Sequence, residues 1–537
     1  MTAKEAFYTA PKPCNQKIPS NPCFLDYGQL LLKNPHPKTM INKRDVGASS
    51  FGTASSLDDS IPVRQDANKT GEAHSFSPQP RSQLMLSRYP LSRVLTACWF
   101  CVTCCFIIAD PAETHAGNFG NSAVGGVIVD ADGVLRKNPQ HDLLLRRNAL
   151  VDLNLVPDGL DQTVELRRVS LRRLQAAIDD SLRNNNGTLP LDIQFLGGLQ
   201  RIQYILVYPE EHDIVLAGPG EGWTIDDHGF VVGTSTGQPV IRLDDLLTAF
   251  RTVTEARTIG ISCSINPRQE GLQQMQRLVA SQKSFQSGIV TAIERALGPQ
   301  TISITGVPTT SNLALTLVAA DYRMKRIAMG LEASPIRSLP SYLSLVKSAR
   351  AVKNMMPRWW LACDYAPLGR GEGGLAWEIR DPGVKCLTEP SFLDENGTVQ
   401  KARSRGHAAE RWAEMMTTAY DELAQHDLIF TQLRNTMDLC VVAALIQQEG
   451  LLEQADFSLS LLTETDGPLL VHKKNAPQTV ASQASVVRRG RHYIIAASGG
   501  VEIDSWGIAS QSSASEQVEQ LRLQAARGAS ESNWWWQ

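Results

Sequence analysis

PRWWLACDYAPLGRGEGGLAWEIRDPGVKCLTE, Pro357 to Glu389, is the stretch on which the fold turns. Three strand-like runs, Trp359 to Asp364, Leu375 to Ile379 and Val384 to Thr388, are separated by a Gly-rich loop and by the turn Arg380-Asp-Pro-Gly383, which predicts a β-meander. Asp364, Glu378 and Glu389 lie along or at the ends of these runs, with Tyr365 and three tryptophans near them in sequence. Trp and Tyr pack well on a pleated surface while carboxylates commonly face water, so one outcome is an aromatic core face opposite a solvated one. The other is a ligand surface, because indole faces stack on sugars and a carboxylate pair performs acid–base work on a glycosidic bond. Its binding residues would be Trp359, Trp360, Asp364, Tyr365, Trp377 and Glu378, with Glu378 and either Asp364 or Asp381 as the carboxylate pair. The core-and-solvent outcome needs only ordinary strand chemistry and is preferred, so no residue is assigned a catalytic role.

The loop Gly369-Arg-Gly-Glu-Gly-Gly374 is followed by a strand. A phosphate-binding loop needs Lys-Ser/Thr opening a helix, and a dinucleotide fold needs strand, turn and helix, so a hairpin tip is expected and no cofactor. Two helices come next, marked by Ala409, Trp412, Met416, Ala419 and Leu423, and by Phe430, Leu433, Met437, Val441 and Leu445. MDLCVVAALI in the second is apolar on most sides and therefore belongs inside. His407 and His426 flank the first helix without an i, i+4 pair or an H-E-x-x-H motif, so no metal site is expected. Strands at ASVVRR, RHYIIAAS and Gly499 to Asp504 close the fold, no G-x-S-x-G elbow is present, and the chain ends in Trp534-Trp-Trp-Gln537.

Upstream, AVGGVIVDADGVLRK reads as a hairpin about Asp130 to Gly133. Ser170 caps a helix with Leu171, Leu174, Ile178 and Leu182 on one face, and RIQYILVYP, DIVLAG, FVVGT and PVIRL follow as strand-like runs. From TIGISCSI the rhythm changes to strand, helix, strand, helix, with Leu272, Met275, Leu278, Phe285, Ile289 and Ile293 as packing positions. The expected class is α+β: antiparallel sheets with packed helices and a short βα-alternating middle segment.

VLTACWFCVTCCFIIA, Val94 to Ala109, is the one uninterrupted apolar run of its length, with Arg88 and Arg93 before it and Thr114-His-Ala116 after. At about 1.5 Å per residue it reaches only about 24 Å, short for a bilayer core of about 30 Å, which favours an export signal cleaved after Ala116. Met85 would start that signal, leaving residues 1–84, rich in Pro, Ser, Asn and Lys without periodicity, as a disordered leader or sequence ahead of the true start. Cys263, Cys363, Cys386 and Cys440 would survive processing; none forms a C-x-x-C pair, and Cys363 and Cys386 are placed for a disulfide between neighbouring strands. A net charge of -3 without a strong basic block argues against nucleic acid as partner.

The phrases LAGPGEGW, AADYRMKRIAMGLE, PRWW, GLAWEIRDPGVKCLTE, YDELAQHDLIFTQLRNTMDLCVVAALI and GRHYIIAASGGVEIDSWG together resemble an uncharacterised family of exported bacterial proteins, a domain of unknown function, over most of residues 123–507. The resemblance implies export and brings no catalytic residue, cofactor or substrate. The expected organisation is a leader (1–84), a signal (85–116), an α+β unit (117–254), a βα segment (255–354), the aromatic meander with two helices and closing strands (355–508) and a tail (509–537). The expected function is that of an exported, non-enzymatic envelope or interaction protein, located in the periplasm, envelope or outside the cell. Its partner would be an envelope protein or a glycan, and it would meet the membrane only through the signal. The alternative is a secreted hydrolase acting on glycans through the carboxylates of the meander.

Overall fold

Each run of the aromatic stretch forms a strand in the computed structural model, yet the three do not make one meander. The structure describes residues 156–527, apart from 186, 227–229, 283–287, 347–354, 390, 394–398, 402–406, 490 and 496, together with strands at 127–129 and 134–137 and with Trp536. The leader, the apolar segment Val94 to Ala109, Ala116 and the turn Asp130 to Gly133 lie outside the described residues.

Two sheets organise the fold. Their strands in chain order are β1 (Val127–Val129), β2 (Val134–Lys137), β3 (Val164–Ser170), β4 (Tyr204–Tyr208), β5 (Asp213–Gly220), β6 (Ile261–Asn266) and β7 (Gln300–Thr305). The later ones are β8 (Arg358–Tyr365), β9 (Leu368–Arg370), β10 (Ala376–Glu378), β11 (Pro382–Thr388), β12 (Thr479–Val480), β13 (Ser498–Ile503) and β14 (Ser512–Ala514). The eight-stranded sheet runs β1-β2-β12-β7-β6-β13-β8-β11, and the six-stranded one β14-β9-β10-β4-β5-β3. Pairing is antiparallel except at β2 with β12, β8 with β13 and β9 with β14. The helices used below are α1 (Leu171–Asn184), α2 (Leu243–Ile259), α3 (Gln269–Ser281), α4 (Ile289–Leu297), α5 (Asn312–Ala328), α6 (His407–Thr418), α7 (Tyr420–His426), α8 (Leu428–Gln448) and α9 (Glu516–Arg527). The class is α+β, as expected.

The outer runs of the aromatic stretch, β8 and β11, pair directly, with Leu361 opposite Cys386 and Cys363 opposite Val384. Between them the chain leaves the sheet. β9 and β10 make a hairpin about the Gly-rich tip, Gly369 opposite Glu378, and β10 continues onto β4, Trp377 opposite Ile205. The first sheet therefore gathers strands from the middle and C-terminal segments, and the second combines β3 to β5 with β9, β10 and β14. The segments 117–254, 255–354 and 355–508, expected as successive units, interleave in one compact unit, and the tail supplies β14 and α9 to it.

Local chemistry explains the elements. The Ser170 side chain accepts from the Arg173 amide and caps α1. β6 and β7, joined by α3 and α4, are antiparallel neighbours rather than a parallel βαβ pair, since a second helix reverses the chain once more. Leu272, Met275, Ile289 and Ile293 bury together between those helices, as their spacing predicts, with Leu278 partly buried against them and Leu297 joining them; Phe285 lies outside the described residues. β1 and β2 pair as the expected hairpin. α8 is long and apolar enough to cross a membrane by length and composition, but its apolar window is 89% buried inside the protein, so it is a core helix. In β13, a Cβ on Gly499 would stand 1.8 Å from the Trp359 carbonyl oxygen and one on Gly500 1.9 Å from that of Cys263, so both flanking strands approach too closely for a side chain. Trp536 forms a bridge with Val169 and lies under the Arg167 guanidinium, 5.6 Å from its ring centroid.

Candidate functional site

The fold distributes the six candidate residues of the aromatic stretch. Burial alternates along β8, placing Trp359 and Tyr365 on the core face and Trp360 and Asp364 on the other, half-buried. Trp359 is 0% exposed, with Tyr342 and Trp412 ring centroids at 5.1 and 4.8 Å. Trp377 is also 0% exposed and belongs to the other sheet with Glu378. Neither buried indole can stack on a sugar. Asp364 pairs with Lys385 at 3.2 Å and Glu378 with Arg380 at 2.9 Å, so the two carboxylates sit in different sheets, each with its own cation. Cys363 and Cys386 are free, buried thiols. Their register makes them diagonal rather than directly opposite, which accounts for the missing bridge.

Asp381 is the other candidate partner of Glu378 in the carboxylate pair. Arg201 donates to it at 2.6 Å and, through Nε, to Asp438 of α8 at 2.8 Å, while the Tyr365 hydroxyl donates to the other Asp438 oxygen at 2.7 Å. Asp438 is 0% exposed, so this network ties β8 and the approach to β4 to α8. Burial, opposed and outweighed by Asp438 and Asp381, leaves the Arg201 guanidinium firmly charged. Glu378 and Asp381 both line a polar cavity of about 350 Å³ with Tyr204, Arg380 and Gln517.

A larger cleft, about 1040 Å³, opens elsewhere. Its walls are the end of α1, one face of α2, the loop before α5 and the irregular segment Thr465 to Lys473. That segment is held by backbone bonds from Lys474 to Thr310 (2.7 Å) and from Ala476 to Thr309 (2.8 Å), and by Arg251, which donates to the Leu462 and Leu469 carbonyls. Leu182, Leu189 and Leu470 give the cleft apolar surface, and Thr248, Thr252 and Ser311 also line it, their hydroxyls donating to the Asp244, Thr248 and Pro308 carbonyls.

Polar side chains converge behind this cleft. His472 lines it with its side chain 57% exposed, and its Nδ1 lies 3.2 Å from Oδ2 of the buried Asp244, which also accepts from the His472 amide. The hydrogen bond with Asp244 raises the His472 imidazole above its ordinary value, against the effect of burial. Burial pushes Asp244 up, but His472 and Arg242 outweigh it and hold the carboxyl below its usual range. Further in, Lys474 donates to Asn312 at 2.8 Å, and Asn312 donates to both oxygens of Asp245. Burial, with Arg242 adding to it, pushes the Lys474 ammonium down to about 7. An imidazole with a carboxylate on Nδ1 presents Nε2 outward, an arrangement that accepts a proton or an anion. Sequence reading missed these residues: Asp244 and His472 are 228 positions apart, and VHKK looks like an ordinary basic stretch.

The family described as Protein of unknown function (DUF1598) matches residues 263–342. The expected resemblance to an uncharacterised family holds for that segment, which carries α3, α4, β7 and α5 and with them the wall of the cleft at Pro308, Thr310 and Ser311. No curated protein and no solved structure matches the chain.

Proposed function

We propose that this protein is an exported, non-catalytic binding protein of the cell envelope that holds a small molecule in the cleft beside His472. The cleft is the observation that carries this function: its size suits a small organic ligand, and its lining joins apolar surface to a few placed polar groups. Export rests on the apolar sequence Val94 to Ala109 with its basic approach and small residues at Ala116. The test is fractionation of the native host followed by native mass spectrometry of the purified protein. The expected result is recovery outside the cytoplasm with a small molecule bound, which is lost when Thr188→Trp obstructs the rim of the cleft. Cytoplasmic recovery would remove the export half, and an empty protein would remove the binding half.

A second function, a glycan hydrolase, is favoured by one observation: Glu378 and Asp381 line the same cavity. Both carboxylates are already engaged by arginines, Glu378 by Arg380 and Asp381 by Arg201, so neither is free to face a glycosidic bond. Hydrolysis of soluble envelope glycan fragments that disappears in Glu378→Gln would establish it; equal rates in the two proteins would eliminate it.

A further inference from the structure

The charge around the cleft narrows the ligand class. His472, Arg251 and Lys473 are its basic members and Glu255, exposed at the edge, its acidic one. Arg251 spends Nε and Nη2 on the Leu462 and Leu469 carbonyls, which leaves Nη1 without a hydrogen-bond partner among the described residues. His472 spends Nδ1 on Asp244, and its Nε2 likewise has no partner among them. Two donors whose other atoms are already fixed are thus directed by existing bonds, so a ligand anion meets a preset arrangement at little cost in side-chain entropy. Leu470, 76% exposed, lines the same space as Leu182 and Leu189, which is a large apolar side chain left uncovered where an apolar ligand body would cover it.

Resting on the binding function above, we propose that the ligand is an amphiphilic organic acid, its anionic head against His472, Arg251 and Lys473 and its hydrocarbon body along Leu182, Leu189 and Leu470. A neutral amphiphile leaves Nη1 of Arg251 and Nε2 of His472 without an anionic partner, and a bare inorganic anion leaves the leucines in water. The ionisation of His472 couples to binding, and the charged groups acting on its ring are Asp244, Arg242 and Lys474.

Calorimetry on the full chain with octanoate, 1-octanol and inorganic phosphate separates these cases. Octanoate is expected to bind at about pH 6 at least about tenfold more tightly than octanol or phosphate, and to weaken as the pH rises through the His472 titration. His472→Gln should weaken octanoate about tenfold and abolish that pH dependence while leaving octanol unchanged. Lys473→Gln, at an exposed position where unfolding is not at issue, should weaken octanoate about threefold. Octanol equal to octanoate, or His472→Gln and Lys473→Gln both without effect, overturns the anionic head; phosphate equal to octanoate overturns the apolar body. Failure of all three probes to bind overturns the ligand class, and the native mass spectrum then decides separately whether the cleft binds anything.

Discussion

Nδ1 of His472 lies 3.2 Å from Oδ2 of Asp244, a contact between the irregular segment after α8 and the first turn of α2. The raised histidine contributes stability at pH below its unfolded value that is lost as pH rises through its folded one. The lowered aspartate contributes stability above its unfolded value that is lost as pH falls through its folded one. The pair should therefore help most between about pH 4 and pH 6. A nuclear magnetic resonance titration should place His472 above an ordinary histidine, and Asp244→Asn should bring it down. An unmoved midpoint would show that the contact does not persist in solution.

The buried pair Asp321 and Lys325, one turn apart on α5 at 2.7 Å, gives a second expectation. Lys325 also donates to the Ile265 and Gly499 carbonyls, tying the helix to β6 and β13. Lys325→Met leaves the carboxylate uncompensated and should cost about 3–5 kcal/mol in urea unfolding. The double change Asp321→Leu with Lys325→Met should recover a large part of that loss. A double variant no more stable than the single one would mean that the two carbonyl contacts, not the ion pair, dominate.

Arg201 should separate its two partners. Arg201→Met strands Asp438 inside the protein and is expected to cost about 3–5 kcal/mol, whereas Asp381→Asn, at a carboxylate 64% exposed, should cost less than about 1 kcal/mol. Equal losses in thermal unfolding would contradict the anchoring role given to Asp438.

Two glycines of positive φ offer a control for each other. Gly499→Ala adds a collision with the Trp359 carbonyl and should prevent folding or lower the melting temperature severely. Gly237→Ala meets no atom within 4 Å and should show only the backbone cost, about 1 kcal/mol. Similar melting curves for the two would place the strain in φ alone.

Local chemistry was the legible part of the sequence. The Ser170 cap, the hairpin tip at Gly369 to Gly374 and the buried character of α8 each depend on residues near one another in the chain, and each is present in the structure. The alternation along β8 likewise separates Trp359 from Trp360. What sequence did not show is which strand each run chooses, because β10 finds its partner in β4 through contacts that no local pattern announces. The single meander and the separable units depended on that choice, whereas the cysteine bridge failed on register alone, since its two strands do pair but set Cys363 opposite Val384. The cleft lay hidden for the same reason: its walls are assembled from α1, α2, the approach to α5 and the segment around His472.

The departure of the β9–β10 hairpin from the first sheet also sets a schedule. The eight-stranded sheet lacks β13 until residue 503 has been made, and the six-stranded sheet lacks β14 until residue 514. Such distant pairings form slowly, since a long loop must close before any contact rewards it. Through most of its synthesis the polypeptide therefore has two incomplete sheets with open edges. It leaves the ribosome with the closing strands of both sheets still to be placed.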